Sequence, residues 1–362
     1  MAQPTQVETT ALRDAAKTFG DGADALRDRA VPAISRAALD PFALPAIDMG
    51  YSAAYREAYS GMDLAAHLTS NVMRTINLAL TRVANHYEGQ DAKNEQMFHG
   101  EPVPPPTVPN AAQMQMDGDG WDAAIAAGIA VGESHAVAAM LAVALAGLGT
   151  SSARAGGAAI VFPFGIFCLA NLRDPKGHLD AADGWNEVEG VFADVSADMQ
   201  RMVHEVTATA GWSGDAANVF NSYVTNVLAP MVGSAKGLAT DMKIASYEAA
   251  GALGSTLLLF SVATYTAIAT CLAANADPEP LSATAMIWAT LGMWATFILE
   301  IIAEMALTFV LLGIGAATIA SAYKDLHGWL RDQNDKLDGH SASLKPQDTT
   351  TIQDWNRWEW KK

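Results

Sequence analysis

Glu300 and Glu304 stand four residues apart on one helical face, and they are the only charges in the otherwise apolar stretch from 281 to 323. Carboxylates in such surroundings must reach water. The preferred reading is that the helix breaks there and leaves both at a membrane interface; the alternative is that they line a pore. Other groupings fall short of a site. His204-Glu205 opens like a zinc-protease helix, but "HEVTATA" supplies no second histidine at the required spacing. "GESHA" at 132–136 lacks the second glycine and the strand-turn-helix setting of a nucleophile elbow. Asp117 and Asp119 offer two of the several oxygens a calcium loop needs, and they read as helix N-caps. No phosphate-binding or dinucleotide-binding glycine motif occurs, and the histidines form no ligand cluster. The expectation is a non-enzymatic protein with no cofactor and no metal.

What could position such residues follows from composition. Of the 362 residues, 51% are hydrophobic and 17% charged, a ratio that calls for buried Ala-rich helices or membrane segments. The net charge of −17 argues against a nucleic-acid partner, which needs a Lys/Arg surface. Cys168 and Cys271 each lie in an apolar run and read as small hydrophobes. The first twenty residues show no basic stretch followed by an apolar core, so export by a Sec signal peptide is not expected.

The pattern along the chain is helical throughout. Leu12, Ala16, Phe19, Ala23 and Leu26 mark one helical face, and a break follows at "ALDPFALPAIDMG". Leu64, Leu68, Val72, Ile76, Leu80, Val83 and Tyr87 then repeat at three- and four-residue spacing, so 1–99 reads as a helical hairpin. A Pro-rich linker occupies 100–120. Residues 121–180 form an apolar hairpin, for which membrane insertion and burial in a soluble bundle are equal alternatives. In 181–247, Val188, Phe192, Val195, Met199, Met202 and Val206 have the spacing of a coiled-coil seam. A turn at Trp212-Ser213-Gly214 and a second helix with Phe220, Val224 and Val227 follow, and Pro230 is expected to bend or stop that helix. Residues 249–276 carry no charge over 28 positions, long enough to cross a bilayer, and with the run to 323 they predict a transmembrane-like hairpin over 248–323. Lys236, Lys243, Lys324 and Arg331 flank it, which puts both ends on one side with two crossings. The tail, 324–362, packs Trp355, Trp358 and Trp360 beside Arg357, Lys361 and Lys362, a composition suited to a membrane interface or a partner groove. The fold class expected is therefore all-α, long helical hairpins packed as a bundle, with apolar membrane-inserting hairpins.

Two short motifs sharpen the functional reading. Trp212-Ser213-Gly214 between amphipathic helices, with Phe220 eight residues on, resembles the WXG family of helical hairpins exported by type VII secretion systems. Tyr87 and Asp91 in "YEGQD" have the Y-x-x-x-D spacing of those systems' export signal, and the arrangement is similar to PE/PPE-type substrates, in which the two motifs form one composite signal. The resemblance covers residues 5 to 95 and 185 to 247. It implies that Tyr87, Asp91, Trp212, Gly214 and Phe220 are read by a secretion ATPase or chaperone, and that the protein is secreted or held in the cell envelope. The apolar hairpins depart from the family pattern and add membrane lipid, and a homo-oligomer, as expected partners. A pore-forming toxin with 249–323 as its inserting element, and a structural membrane scaffold, are the competing readings.

Overall fold

A computed structural model describes residues 9–39, 43–48, 50–89, 137–209 and 215–340. Among these there is no strand; every element is helical. In chain order they are α1 (Thr9–Ala25), α2 (Val31–Arg36), α3 (Tyr51–Gly89), α4 (Val137–Ser151), α5 (Ala158–Asn171), α6 (Lys176–His204), α7 (Asp215–Tyr223), α8 (Ala229–Asn275) and α9 (Pro280–His340).

Five-residue π-helical turns join α1 to α2 (Leu26–Ala30) and α7 to α8 (Val224–Leu228). In both places a proline, Pro32 or Pro230, enters the next helix within two residues. Its ring would collide with the carbonyl four residues back, at Asp28 or Asn226, and the widened turn removes that collision. Pro230 therefore does not stop the helix, one of the two outcomes, bend or stop, expected from sequence.

The apolar stripes decide the packing. Leu12, Ala16, Phe19, Ala23 and Leu26 are all buried, as are Val188, Phe192, Val195, Met199, Met202 and Val206. On α3 the buried line begins at Tyr51, Tyr55, Ala58 and Met62, and Leu64 falls on its outer flank, exposed, although the spacing had placed it in the stripe. α3 packs against α1 on one side and α9 on the other, α9 against α8, α8 against α6, and α6 back against α1 and α2. This closed circuit is the polar bundle. Gly184 of α6 is required where α2 crosses, since a Cβ there would meet the Ala33 carbonyl oxygen and the Ala37 nitrogen at 2.9 Å. Polar links tie the same crossing: Trp185 Nε1 donates to the Tyr55 hydroxyl at 2.7 Å, which donates to the Ala37 carbonyl at 2.7 Å.

Beyond the bundle, α8 and α9 continue without interruption. At ~1.5 Å per residue the 61-residue α9 is about 92 Å long. The extension is joined by α4 and α5, which pack on each other and, through α4, on α8. The boundaries expected at 247/248 and 323/324 therefore fall inside single helices, and the same two rods build both ends of the molecule. The all-α class and the long helical hairpins are as the sequence predicts.

Candidate functional site

The far end of the molecule is a four-helix unit made of α4, α5, the last half of α8 and the first half of α9. Three helical stretches, Ala158–Thr207, Phe220–Asn275 and Pro280–Gly328, are long and apolar enough to cross a membrane. Their longest charge-free runs are 158–172, 249–275 and 280–299; the remainder, which includes a second charge-free run of α9 at 305–323, belongs to the bundle. The unit is closed at its tip, where Arg154 donates to the Asn275 carbonyl at 3.0 Å and Asn275 Nδ2 donates to the Ser151 carbonyl at 2.7 Å. Gly156 supplies the left-handed conformation, φ 77°, that turns α4 back into α5. Inside, Phe164 and Trp294 meet edge to face at 5.3 Å, and Trp294 Nε1 donates to Thr264 Oγ1 at 3.0 Å. Cys168 and Cys271 are buried and unbridged, in keeping with a role as small hydrophobes.

The outside of this unit is unlike the outside of a soluble bundle. Of the large hydrophobic side chains exposed among the described residues, all but Leu64 and Ile244 lie on these four helices or on the continuation of α9 to Ile314. A continuous apolar surface of that kind marks a partner or a membrane. Glu300 and Glu304 are both exposed on α9. The helix does not break there, which corrects the preferred reading: α9 runs through both residues unbroken, and exposure rather than a break gives the carboxylates access to water. At ~1.5 Å per residue, Glu300 lies about 30 Å along α9 from Pro280, the thickness of a bilayer's hydrocarbon.

Where the two ends join, a layer of aromatic and polar side chains is buried. His178, in the first turn of α6, lies 6.0 Å from the Tyr51 ring and 6.1 Å from the Phe309 ring, and is fully enclosed. Desolvation pushes its pKa down to about 4, with the Ala43 backbone offsetting a little. Nothing in the sequence marks His178 as different from the other histidines.

The opposite end carries the motif-bearing elements. Tyr87 lies in the last turn of α3, while Asp91, Trp212, Gly214, Trp355, Trp358 and Trp360 lie outside the described residues. The elements flanking the Trp-Gly turn can be followed. Arg13 donates to Asn85 at 3.0 Å, so α1 and α3 run antiparallel with the start of α1 beside the end of α3. α1 also touches the π-helical turn Glu205–Thr209 that ends α6, and Phe19 meets Phe220 edge to face at 6.0 Å. The end of α3, the Glu205–Thr209 turn and α7 thus share one end of the bundle. Phe220 itself is buried, so it anchors α7 on α1 and is not part of a surface that a partner could touch. A cleft of about 330 Å³ opens nearby between α6 and the end of α7 with its π-helical turn, lined by Gln200, Val203, His204, Asn221, Val224 and Thr225. Among the described residues no group of three His, Cys, Asp or Glu could hold a metal.

Compared with known protein families, curated proteins and solved structures, the chain matches none.

Proposed function

We propose that this chain is a non-enzymatic substrate of a type VII secretion system, delivered to the cell envelope or a target membrane, where its apolar end enters lipid. The observation that carries the reading is the polarity of the molecule. The end of α3 bearing Tyr87 and the flanks of the Trp212-Gly214 turn lie together at one end, and the exposed apolar unit lies at the other. A secretion ATPase or chaperone would read the first end, where Tyr87 belongs to the last turn of α3 and the flanks of the Trp-Gly turn lie close by. Lipid would meet the second.

The test is export. Wild type, Tyr87→Ala and Trp212→Ala are compared in culture medium and cell pellet. Wild type is expected in the medium and both variants in the pellet; retention of all three, or release of all three alike, would sink the reading.

A second reading has one observation in its favour. Glu300 and Glu304 are exposed on a face of α9 that is otherwise apolar, and several copies arranged with that face inward would place carboxylates along a pore. Dye release from vesicles separates the two. A pore predicts release by wild type and a change in ion selectivity with Glu300→Gln, whereas an inert anchor releases nothing.

A further inference from the structure

The sequence points to the 249–323 hairpin as the element that enters a membrane, which would require it to leave its surroundings first. The packing indicates a different unit. One side chain on each of the four far-end helices faces outward to a similar degree: Val143 on α4 (67% exposed), Ile166 on α5 (71%), Val262 on α8 (57%) and Met293 on α9 (67%). The inward faces are already used: Leu145 of α4 lies 3.0 Å from where a Cβ on Gly165 of α5 would stand, and Ile268 of α8 lies 3.1 Å from the same point on Gly147 of α4. The tips are held together by the Arg154, Asn275 and Ser151 hydrogen bonds.

We infer that α4, α5, the end of α8 and the start of α9 enter a lipid bilayer together, as a preformed apolar collar, without parting from one another. This deepens, and rests on, the membrane-inserting part of the proposed function. The geometry supports lipid as the occupant in three ways. Each of the four helices contributes exposed apolar side chains, whereas a protein partner would need an apolar patch on one side. Its height matches hydrocarbon: at ~1.5 Å per residue, the 20 charge-free residues 280–299 span about 30 Å. Polar groups lie at both levels, with Arg154, Asp277 and Glu279 at the tip, and Glu300, Arg173 and Asp174 at the foot, and on α9 alone exposed apolar side chains continue past Glu300 to Ile314. α4 and α5 rise only about 22 Å at the same pitch, so they cover the part of the collar nearer the tip, and the Arg173-Asp174 turn draws the near headgroups towards it. Since the apolar side chains already point outward, hydrophobic transfer proceeds without first exposing a core.

Two experiments on the full chain test this. In the first, Val143→Cys, Ile166→Cys, Val262→Cys and Met293→Cys, each in a Cys168→Ala/Cys271→Ala background, carry a fluorophore. They are mixed with phosphatidylcholine vesicles with and without brominated acyl chains. Loss of emission at all four positions is expected. Loss at Val262 and Met293 alone, with Val143 and Ile166 unaffected, overturns the collar while leaving membrane insertion standing. In the second, which keeps both native cysteines, Ser151→Cys is oxidised. The Ser151 hydroxyl contacts the Cys271 thiol, so the new cysteine can bridge α4 to α8 beside the tip. Oxidised and reduced protein are expected to float with vesicles and to resist alkaline extraction equally. Insertion by the reduced form only would show that the hairpins must part, and would overturn the inference. If no form binds vesicles, the membrane reading itself fails together with the collar, whatever the export assay gives.

Discussion

At the scale of single residues, His178 carries the clearest consequence. A free histidine titrates near 6.5, while burial among Tyr51, Phe309 and the Ala43 backbone pushes His178 down to about 4. The unfolded chain therefore takes up a proton before the folded one does as the pH falls. The stabilising contribution is complete above the unfolded value, declines between about 6.5 and 4, and amounts to about 3 kcal/mol at most. Glu248, half-buried just before the charge-free part of α8, is pushed up to about 7 by desolvation. Its sign is opposite: it favours the fold while protonated, and that contribution is lost as the pH rises through neutrality. Urea midpoints measured from pH 7 to pH 4 should fall more steeply for wild type than for His178→Phe, and identical slopes would refute the assignment. The sequence offered no sign of this layer, because a histidine between a glycine and a leucine looks the same whether it is exposed or enclosed by rings brought from α3 and α9. The carboxylates were different. An acidic pair isolated in an apolar run was visible at once, and only the unbroken helix around it was not.

At the scale of elements, close approach separates two glycines of α6 that the sequence presents alike. Gly184 is backed by the main chain of α2 at 2.9 Å, whereas nothing lies within 4 Å of a Cβ on Gly190. Gly184→Ala should destabilise the fold by about 1–3 kcal/mol through overpacking. Gly190→Ala should stabilise it by about 0.5–1 kcal/mol through helix propensity. Chemical denaturation reads both, and equal midpoints for the two variants would contradict the crossing described for α2 and α6. The stripes of α1 and α6 were legible because their apolar residues recur at three- and four-residue spacing and every one of them is buried. Leu64 was misplaced because the buried line of α3 enters through Tyr51, Tyr55, Ala58 and Met62, which the spacing from Leu64 onward did not include. The passage through Pro230 was illegible for another reason: a π-helical turn has no residue signature, yet it is what lets a proline follow a helix without ending it.

At the scale of the whole molecule, the exposed collar governs behaviour in water. Apolar surface of this extent is expected to drive self-association. Sedimentation should therefore show concentration-dependent oligomers in buffer that revert, in a nonionic detergent, to a protein mass of 38.1 kDa; a monomer in both solvents would mean that the surface is covered. The sequence revealed two apolar hairpins but not that they share one body, because the contacts between Gly147 and Ile268 or Phe164 and Trp294 join positions far apart in the chain. It also suggested cuts at 247/248 and 323/324 where composition changes, although α8 and α9 pass through both. That continuity has a further consequence. An unbroken rod resists bending, so a partner gripping the bundle end holds the apolar end at arm's length, several tens of ångströms from its own surface. A carrier could then handle the protein like a tool by its handle, without a lining of its own to shield the blade.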